Sequence, residues 1–379
     1  MRIGVSALAM RDGLDSGIAR YCAGLIDEWV RDARGHEFVV RVGPGFEVPQ
    51  AWCEQGHVSF LPAEGPWAGY KTLWELFAAG RAAESADCDV WFSTAHAVPE
   101  RSRVPAVLSV QDLFTFTHPE FYTRKHRLVI GRAMARALKR AAGLVAISEH
   151  TRDELVRLFG VDREGVAVTP LGPGNQRSPV AAASVSASDL DALGVGGGRY
   201  LLTLSTVEPR KNLPGLFEGF ARLVADPAWS DLRLVVAGSG GWKTAPIYRR
   251  PDELGISERV DFVGYVPDAD LPKLFARCEA FVLPSIIEGF GLPLLEALAF
   301  GVPVACSRTG SLPEVGGDVP TWFDPTAPDD IERALRQVLA SELPREEVAD
   351  LGRRQASKFS WRRTADLTLD AIVHATGAG

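Results

Sequence analysis

Glu288 and Glu296, with seven residues between them, lie in SIIEGFGLPLLEALAFG, residues 285–301, directly after the apolar run AFVLP. Pro293 suits the first turn of a helix, where a missing N–H costs nothing. The N–H groups near Leu292, Leu294 and Leu295 are therefore expected to face the preceding loop, around Gly289, Phe290 and Gly291, and to make an anion site. Two carboxylates beside such a site would repel a phosphate. As hydroxyl acceptors on either side of a diphosphate they make chemical sense. A second segment, Glu208-Pro209-Arg210-Lys211-Asn212, follows the apolar run LLTLS. Arg210 offers a fork and Lys211 a point charge, a combination that neutralises a diphosphate and stabilises charge developing on a departing one.

Such groups need strands that end where the ligand sits. IGVSA, HEFVVRV, VWFST, VPAVLSV and GLVAIS alternate with helical periodicity in the first half, and RYLLTLS, LRLVVAG, VDFVGYV, AFVLPS and VPVACS do so in the second. Strand-helix alternation implies parallel, doubly wound sheets, which bind ligands at their carboxyl edges. The stripe Ile18, Tyr21, Cys22, Leu25, Ile26, Trp29 and Val30 marks the first helix. Between Asn175 and Gly198 the chain turns to Ser, Ala and Gly, as an interdomain connection does. The expected division is a Rossmann-like domain over 1–175, a linker over 176–198, a second such domain over 199–359, and a final helix over 360–379 packed back on the first domain. The architecture expected is α/β, with two doubly wound domains facing a cleft.

Composition narrows the choices. A chain of 379 residues is about two domains long. Its 46% hydrophobic and 23% charged residues exclude wholesale disorder. A net charge of -7 argues against nucleic acid as a partner. No apolar stretch approaches the roughly 18 residues of a membrane span. Five widely spaced cysteines, without a C-x-x-C pair, signal neither a disulfide framework nor a zinc site and fit a reducing cytoplasm.

EPRKN, EGFGLPLLEALA and the loop SGIARY, in that combination, resemble glycosyltransferase family four, retaining enzymes of the GT-B fold, over nearly the whole chain. The resemblance implies that Arg210 and Lys211 bind the donor diphosphate, Glu288 contacts the donor sugar and Glu296 holds the ribose. Backbone groups of Phe290, Gly291 and Leu292 would serve phosphate and sugar, and the loop at Tyr265 and Val266 would lie beside the base. Gly17, lacking a Cβ, would let backbone approach the diphosphate. The family's His-Asp pair is replaced by Gln111 and Asp112, still expected near sugar or acceptor. Catalysis is accordingly expected from Arg210, Lys211 and Glu288, by front-face substitution, with a nucleotide diphosphate sugar as donor, a hydroxyl acceptor and no cofactor.

Other readings accompany this one. Asp87-Cys88-Asp89 and Asp268-Ala269-Asp270 are D-x-D sequences, but the first precedes its strand and the second opens a helix, where Asp is a good cap. No metal site is expected. The absence of G-x-G-x-x-G leaves a dinucleotide dehydrogenase without its fingerprint. From Phe121 to Ser148 the chain carries seven Lys or Arg and no acid, either a solvated helix face or, over 124–140, a patch for an anionic acceptor or the inner face of a membrane. A nucleotide-sugar epimerase or hydrolase, or a non-catalytic nucleotide-sugar-binding subunit, is the alternative activity.

Overall fold

The computed structural model describes residues 1–11, 16–94, 96–174 and 180–377. Gly13, which the sequence places in the first loop, and Asn175 and Gln176, at the start of the expected linker, lie outside them. The chain divides into two compact units, Met1–Gly172 with Ser360–Gly379, and Pro173–Phe359.

The first unit is a seven-stranded sheet. Its strands are β1 (Arg2–Ala7), β2 (Glu37–Val42), β3 (Val58–Pro62), β4 (Val90–Ser93), β5 (Ala106–Val110), β6 (Gly143–Ala146) and β7 (Val166–Val168). They lie in the order β3-β2-β1-β4-β5-β6-β7 and pair in parallel. The first helix, Gly17–Arg31, starts where the Ser16 hydroxyl accepts the Ala19 N–H at 3.1 Å. It buries Tyr21, Cys22, Leu25, Ile26 and Trp29, each large side chain contributing about 2 to 3 kcal/mol. The final helix, Trp361–Ala375, packs on this unit. A Cβ on Gly24 would sit 2.3 Å from the Trp361 ring, so glycine there is what lets the two helices meet.

The second unit has six strands, β8 (Tyr200–Leu204), β9 (Arg233–Ala237), β10 (Val260–Gly264), β11 (Ala280–Leu283), β12 (Val304–Ser307) and β13 (Thr321–Phe323). Their order is β10-β9-β8-β11-β12-β13, again parallel. The order reverses between β8 and β11, which opens a crevice at their carboxyl ends. Leu216, Phe217, Phe220 and Leu223 of the helix Leu213–Val224 pack with Ile331 and Leu335 beneath it.

Two expectations need correction. The stretch taken as a linker is structured over its described part: a helix spans Ala187–Asp191 and belongs to the second unit. The Ser186 hydroxyl accepts the Asp189 N–H while the Asp189 carboxylate accepts the Ser186 N–H, a capping box that a Ser- and Ala-rich composition hides. Asp270 does precede a helix, Leu271–Arg277, but its carboxylate caps no backbone N–H and takes the Lys273 ammonium at 2.9 Å.

Candidate active site

The carboxyl end of β8 leads into Glu208 and a single tight turn, Pro209–Lys211, which closes on Asn212 in the left-handed region (φ 52°). The carboxyl end of β11 leads through Ser285, Ile286 and Ile287 to Glu288. The two loops are tied by the Ile286 N–H donating to the Arg210 carbonyl at 2.9 Å. Arg210 donates from Nη1 to Glu288 Oε2 (3.0 Å) and to the Ile287 carbonyl (2.9 Å), and from Nη2 to Glu208 Oε1 (2.8 Å). Lys211 Nζ donates to Glu288 Oε1 at 2.7 Å, and the Ser285 hydroxyl to the same oxygen at 2.6 Å.

All four charged groups are withdrawn from water: Glu208, Lys211 and Glu288 are buried and the Arg210 side chain is 14% exposed. Burial alone would push the Glu288 carboxyl up, but Lys211 and Arg210 outweigh it and hold it down at about 2. Burial pushes the Glu208 carboxyl up against the pull of Arg210, and pushes the Lys211 ammonium down against the pull of Glu288. Two cations and two carboxylates sum to no net charge. Arg210 and Lys211 are therefore already engaged by carboxylates, a point that their adjacency in sequence conceals.

The end of β12 and the loop that follows it hold this arrangement. Ser311 donates from its hydroxyl to the Glu288 carbonyl at 2.9 Å, and Ser307 to the carbonyls of Leu283 and Ser285 at 2.9 and 2.7 Å. Gly289, Phe290 and Gly291 then turn into the helix Leu292–Phe300, with Pro293 in its first turn. Gly291 has φ 97°, and a Cβ there would meet the Leu312 side chain at 2.5 Å, so both backbone and space require glycine. The Leu294 and Leu295 N–H groups, expected to be free, both donate to the Gly291 carbonyl at 3.0 and 3.2 Å. Neither of these two N–H groups is therefore open to a ligand. Phe290 and Leu292 are buried, Phe290 edge-on to Phe359. Glu296 is buried, 2% exposed, in the second turn of the helix. Val266 is buried and Tyr265 exposed just beyond β10, two strands across from β8.

In the first unit, Gly17 is the first residue of its helix, and a Cβ there meets nothing within 4 Å. Gln111 and Asp112 follow β5. The Gln111 amide donates to the Ser109 hydroxyl at 2.8 Å, which donates on to the Tyr21 hydroxyl at 3.0 Å. Asp112 accepts the Phe114 N–H at 3.1 Å.

Sequence reasoning missed His96 and Lys71, which feel the charge of Asp112, and the buried Glu75. His96 follows β4, and burial holds its imidazole down at about 4 although Asp112 pulls the other way. Lys71 starts the helix Lys71–Phe77, its ammonium lowered by burial. Glu75, one turn on, is fully buried and accepts from the Ser6 hydroxyl (2.6 Å), the Trp91 indole (2.6 Å) and the Ser93 hydroxyl. The available signal was polar residues closing apolar strands, as in VWFSTAH. Among the described residues, no group of three or more His, Cys, Asp or Glu stands where it would hold a metal ion.

Two Rossmann-like domains, each built on a parallel sheet, are the architecture of the GT-B class of glycosyltransferases. The family described as "Glycosyl transferases group 1" matches residues 191–356, and "Glycosyltransferase Family 4" matches residues 16–172. The O-antigen chain mannosyltransferase B of Escherichia coli is 34% identical over 271 residues, covering 70% of this chain and 69% of that relative. Sucrose-phosphate synthase from Thermosynechococcus elongatus superposes with a TM-score of 0.76 at 16% identity, each chain covered completely. HepE of Anabaena, in complex with UDP and glucose, superposes with a TM-score of 0.70 at 18% identity over 99% of this chain and 100% of that one. The chain belongs to glycosyltransferase family four.

Proposed function

We propose that this glycosyltransferase transfers mannose, with retention, from a nucleoside diphosphate sugar to a hydroxyl of a glycan or lipid-linked acceptor. The observation that carries the reading is the Arg210-Lys211-Glu288 cluster at the switch point of the second sheet, and the mannosyltransferase relative favours the sugar. Arg210 and Lys211 stabilise the departing diphosphate. Glu288, kept ionised by both, accepts a sugar hydroxyl, and Glu296 accepts the ribose. Gly289 to Leu292 supply backbone to the phosphates, Val266 flanks the base, and Gly17 offers close backbone approach. Gln111 and Asp112 stand on the acceptor side.

The reaction proceeds by front-face substitution and needs no divalent metal, because cationic side chains and a helix N-terminus carry the charge. Asp89 and Asp270 already bond the Arg2 N–H and the Lys273 ammonium.

A thermal-shift panel of nucleotide sugars identifies the donor, since a ligand at a hundred times its dissociation constant adds about 2.7 kcal/mol of stability. Product analysis in a chelator then decides the chemistry. An α-linked mannoside formed in EDTA is expected. A free or epimerised sugar would assign a hydrolase or epimerase instead, stabilisation without turnover would assign a binding subunit, and activity lost in EDTA and restored by manganese would refute metal independence.

A further inference from the structure

The helices Lys71–Phe77 and Arg124–Arg140 of the first unit lie side by side. At one end the charges of Lys71 and His126 feel each other. Near the other, the Glu100 N–H donates to the Leu76 carbonyl (3.0 Å) while Arg140 donates to the Glu100 carbonyl (2.7 Å) and Arg136 pairs with its carboxylate (3.5 Å). Trp74 from one helix and Met134, Ala137 and Leu138 from the other enter the same hydrophobic cluster, so the outward sides of both helices share one surface.

That surface is apolar and basic together. Trp67, just before the shorter helix, is 40% exposed and Phe77 is 59% exposed, their rings 6.1 Å apart. Tyr70 is 66% exposed. On the long helix, Leu128 and Val129 are 53% and 42% exposed. At 100° per residue they fall on the half-cylinder that also carries Arg124, Lys125, Arg132 and Lys139. Those four cations are exposed and make no ion pair among the described residues.

Water rewards such cations but not the aromatic rings. A second copy placed symmetrically on the patch would set cation against cation, because the same surface faces itself across a two-fold axis. A lipid surface bearing anionic headgroups satisfies both features: cations meet headgroups, and Trp and Tyr settle at the interface where their amphipathic rings are favoured. We propose that the first unit docks on an anionic membrane surface through this patch, independently of the transfer reaction.

The test is sedimentation of the full chain with phosphatidylcholine vesicles, with and without phosphatidylglycerol, in the absence of any sugar donor. Binding is expected only with phosphatidylglycerol and is expected to weaken as salt rises. Replacing Arg124, Lys125, Arg132 and Lys139 by Gln should weaken it about fivefold for each cation lost. Trp67→Ser with Phe77→Ser should weaken it while leaving the salt dependence unchanged, and thermal melts of both variants check that the fold is kept. The proposal is overturned by absence of binding, by equal binding to neutral vesicles, by full binding of the folded four-Gln variant, or by a lipid-free dimer that Trp67→Ser dissociates. Because no turnover is measured, loss of binding leaves the proposed transferase activity untouched, and the reverse holds too.

Discussion

Lys211 Nζ and Glu288 Oε1 lie 2.7 Å apart, both buried, at the point where the strand order of the second sheet reverses. A buried pair of this kind is costly to break from one side, since the remaining charge stays out of water. Lys211→Met should destabilise the protein by about 3 kcal/mol in urea melts. Glu288, with its carboxyl depressed to about 2, contributes stability that is present above the usual carboxylate range and fades as pH falls toward 2. With Lys211 gone the carboxyl rises toward its ordinary value, so the variant should lose less stability than the parent between the usual carboxylate range and pH 2. A Lys211→Met variant as stable as the parent at neutral pH would show that the pair is not coupled to folding.

The charge balance of the site leads to a second expectation. Glu208 takes one hand of Arg210, and Glu288 takes the other hand together with Lys211, so the four charges cancel. Glu208→Gln keeps the size of the side chain and leaves the cluster with one net positive charge. Calorimetry should then find a nucleoside diphosphate bound several-fold more tightly, with a steeper dependence on salt. Weaker binding would mean that Glu208 matters for holding Arg210 in place more than for neutralising it.

How much of this was legible in the sequence follows from how each element is buried. β1, β4 and β5, and β8, β11 and β12, lie inside their sheets and read as continuous apolar runs, because both faces of such strands are covered. Three of the four outermost strands, β3, β7 and β13, escaped: they are partly exposed, and VSFLP and TWF carry no unbroken apolar signal. At the site, the types of Arg210, Lys211, Glu288 and Glu296 were readable from their segments, whereas their pairing was not. Hydrogen bonds between residues some 77 apart leave no mark on local spacing. Glu75 was invisible for the same reason: Ser6, Trp91 and Ser93 come from β1 and β4, and nothing in KTLWELF marks its carboxylate as buried.

Gly17 gives the cleanest kinetic test of the first unit's role. A Cβ at this position meets no atom within 4 Å, so Gly17→Val should change stability by no more than about 0.5 kcal/mol. Turnover is nonetheless expected to fall at least tenfold if the backbone there serves the donor phosphates. Equal kcat and KM in the folded variant would reduce Gly17 to a helix-start glycine.

The final expectation concerns pH. Glu75 is completely buried among the Ser6, Trp91 and Ser93 donors, and burial pushes its carboxyl up to about 7 in spite of them. An acid whose folded value lies above its unfolded one favours folding while protonated. Its contribution is full below about pH 4.5 and is lost as pH rises through 7, about 3 kcal/mol in all. The half-buried His96 works in the opposite sense, its folded value near 4 lying below the ordinary one, so that stability rises with pH across the range from 4 to 6.5. Subtracting a Glu75→Gln variant from the parent separates the two. Gln keeps the oxygen that Trp91 and Ser93 use and lets Ser6 accept where it had donated, so the variant should fold. Its urea stability relative to the parent should increase between pH 5 and pH 8, and any loss of turnover in the parent over the same interval should be absent from the variant. A difference that stays flat with pH would show that Glu75 is ionised throughout and that its three donors, not its burial, govern the carboxyl.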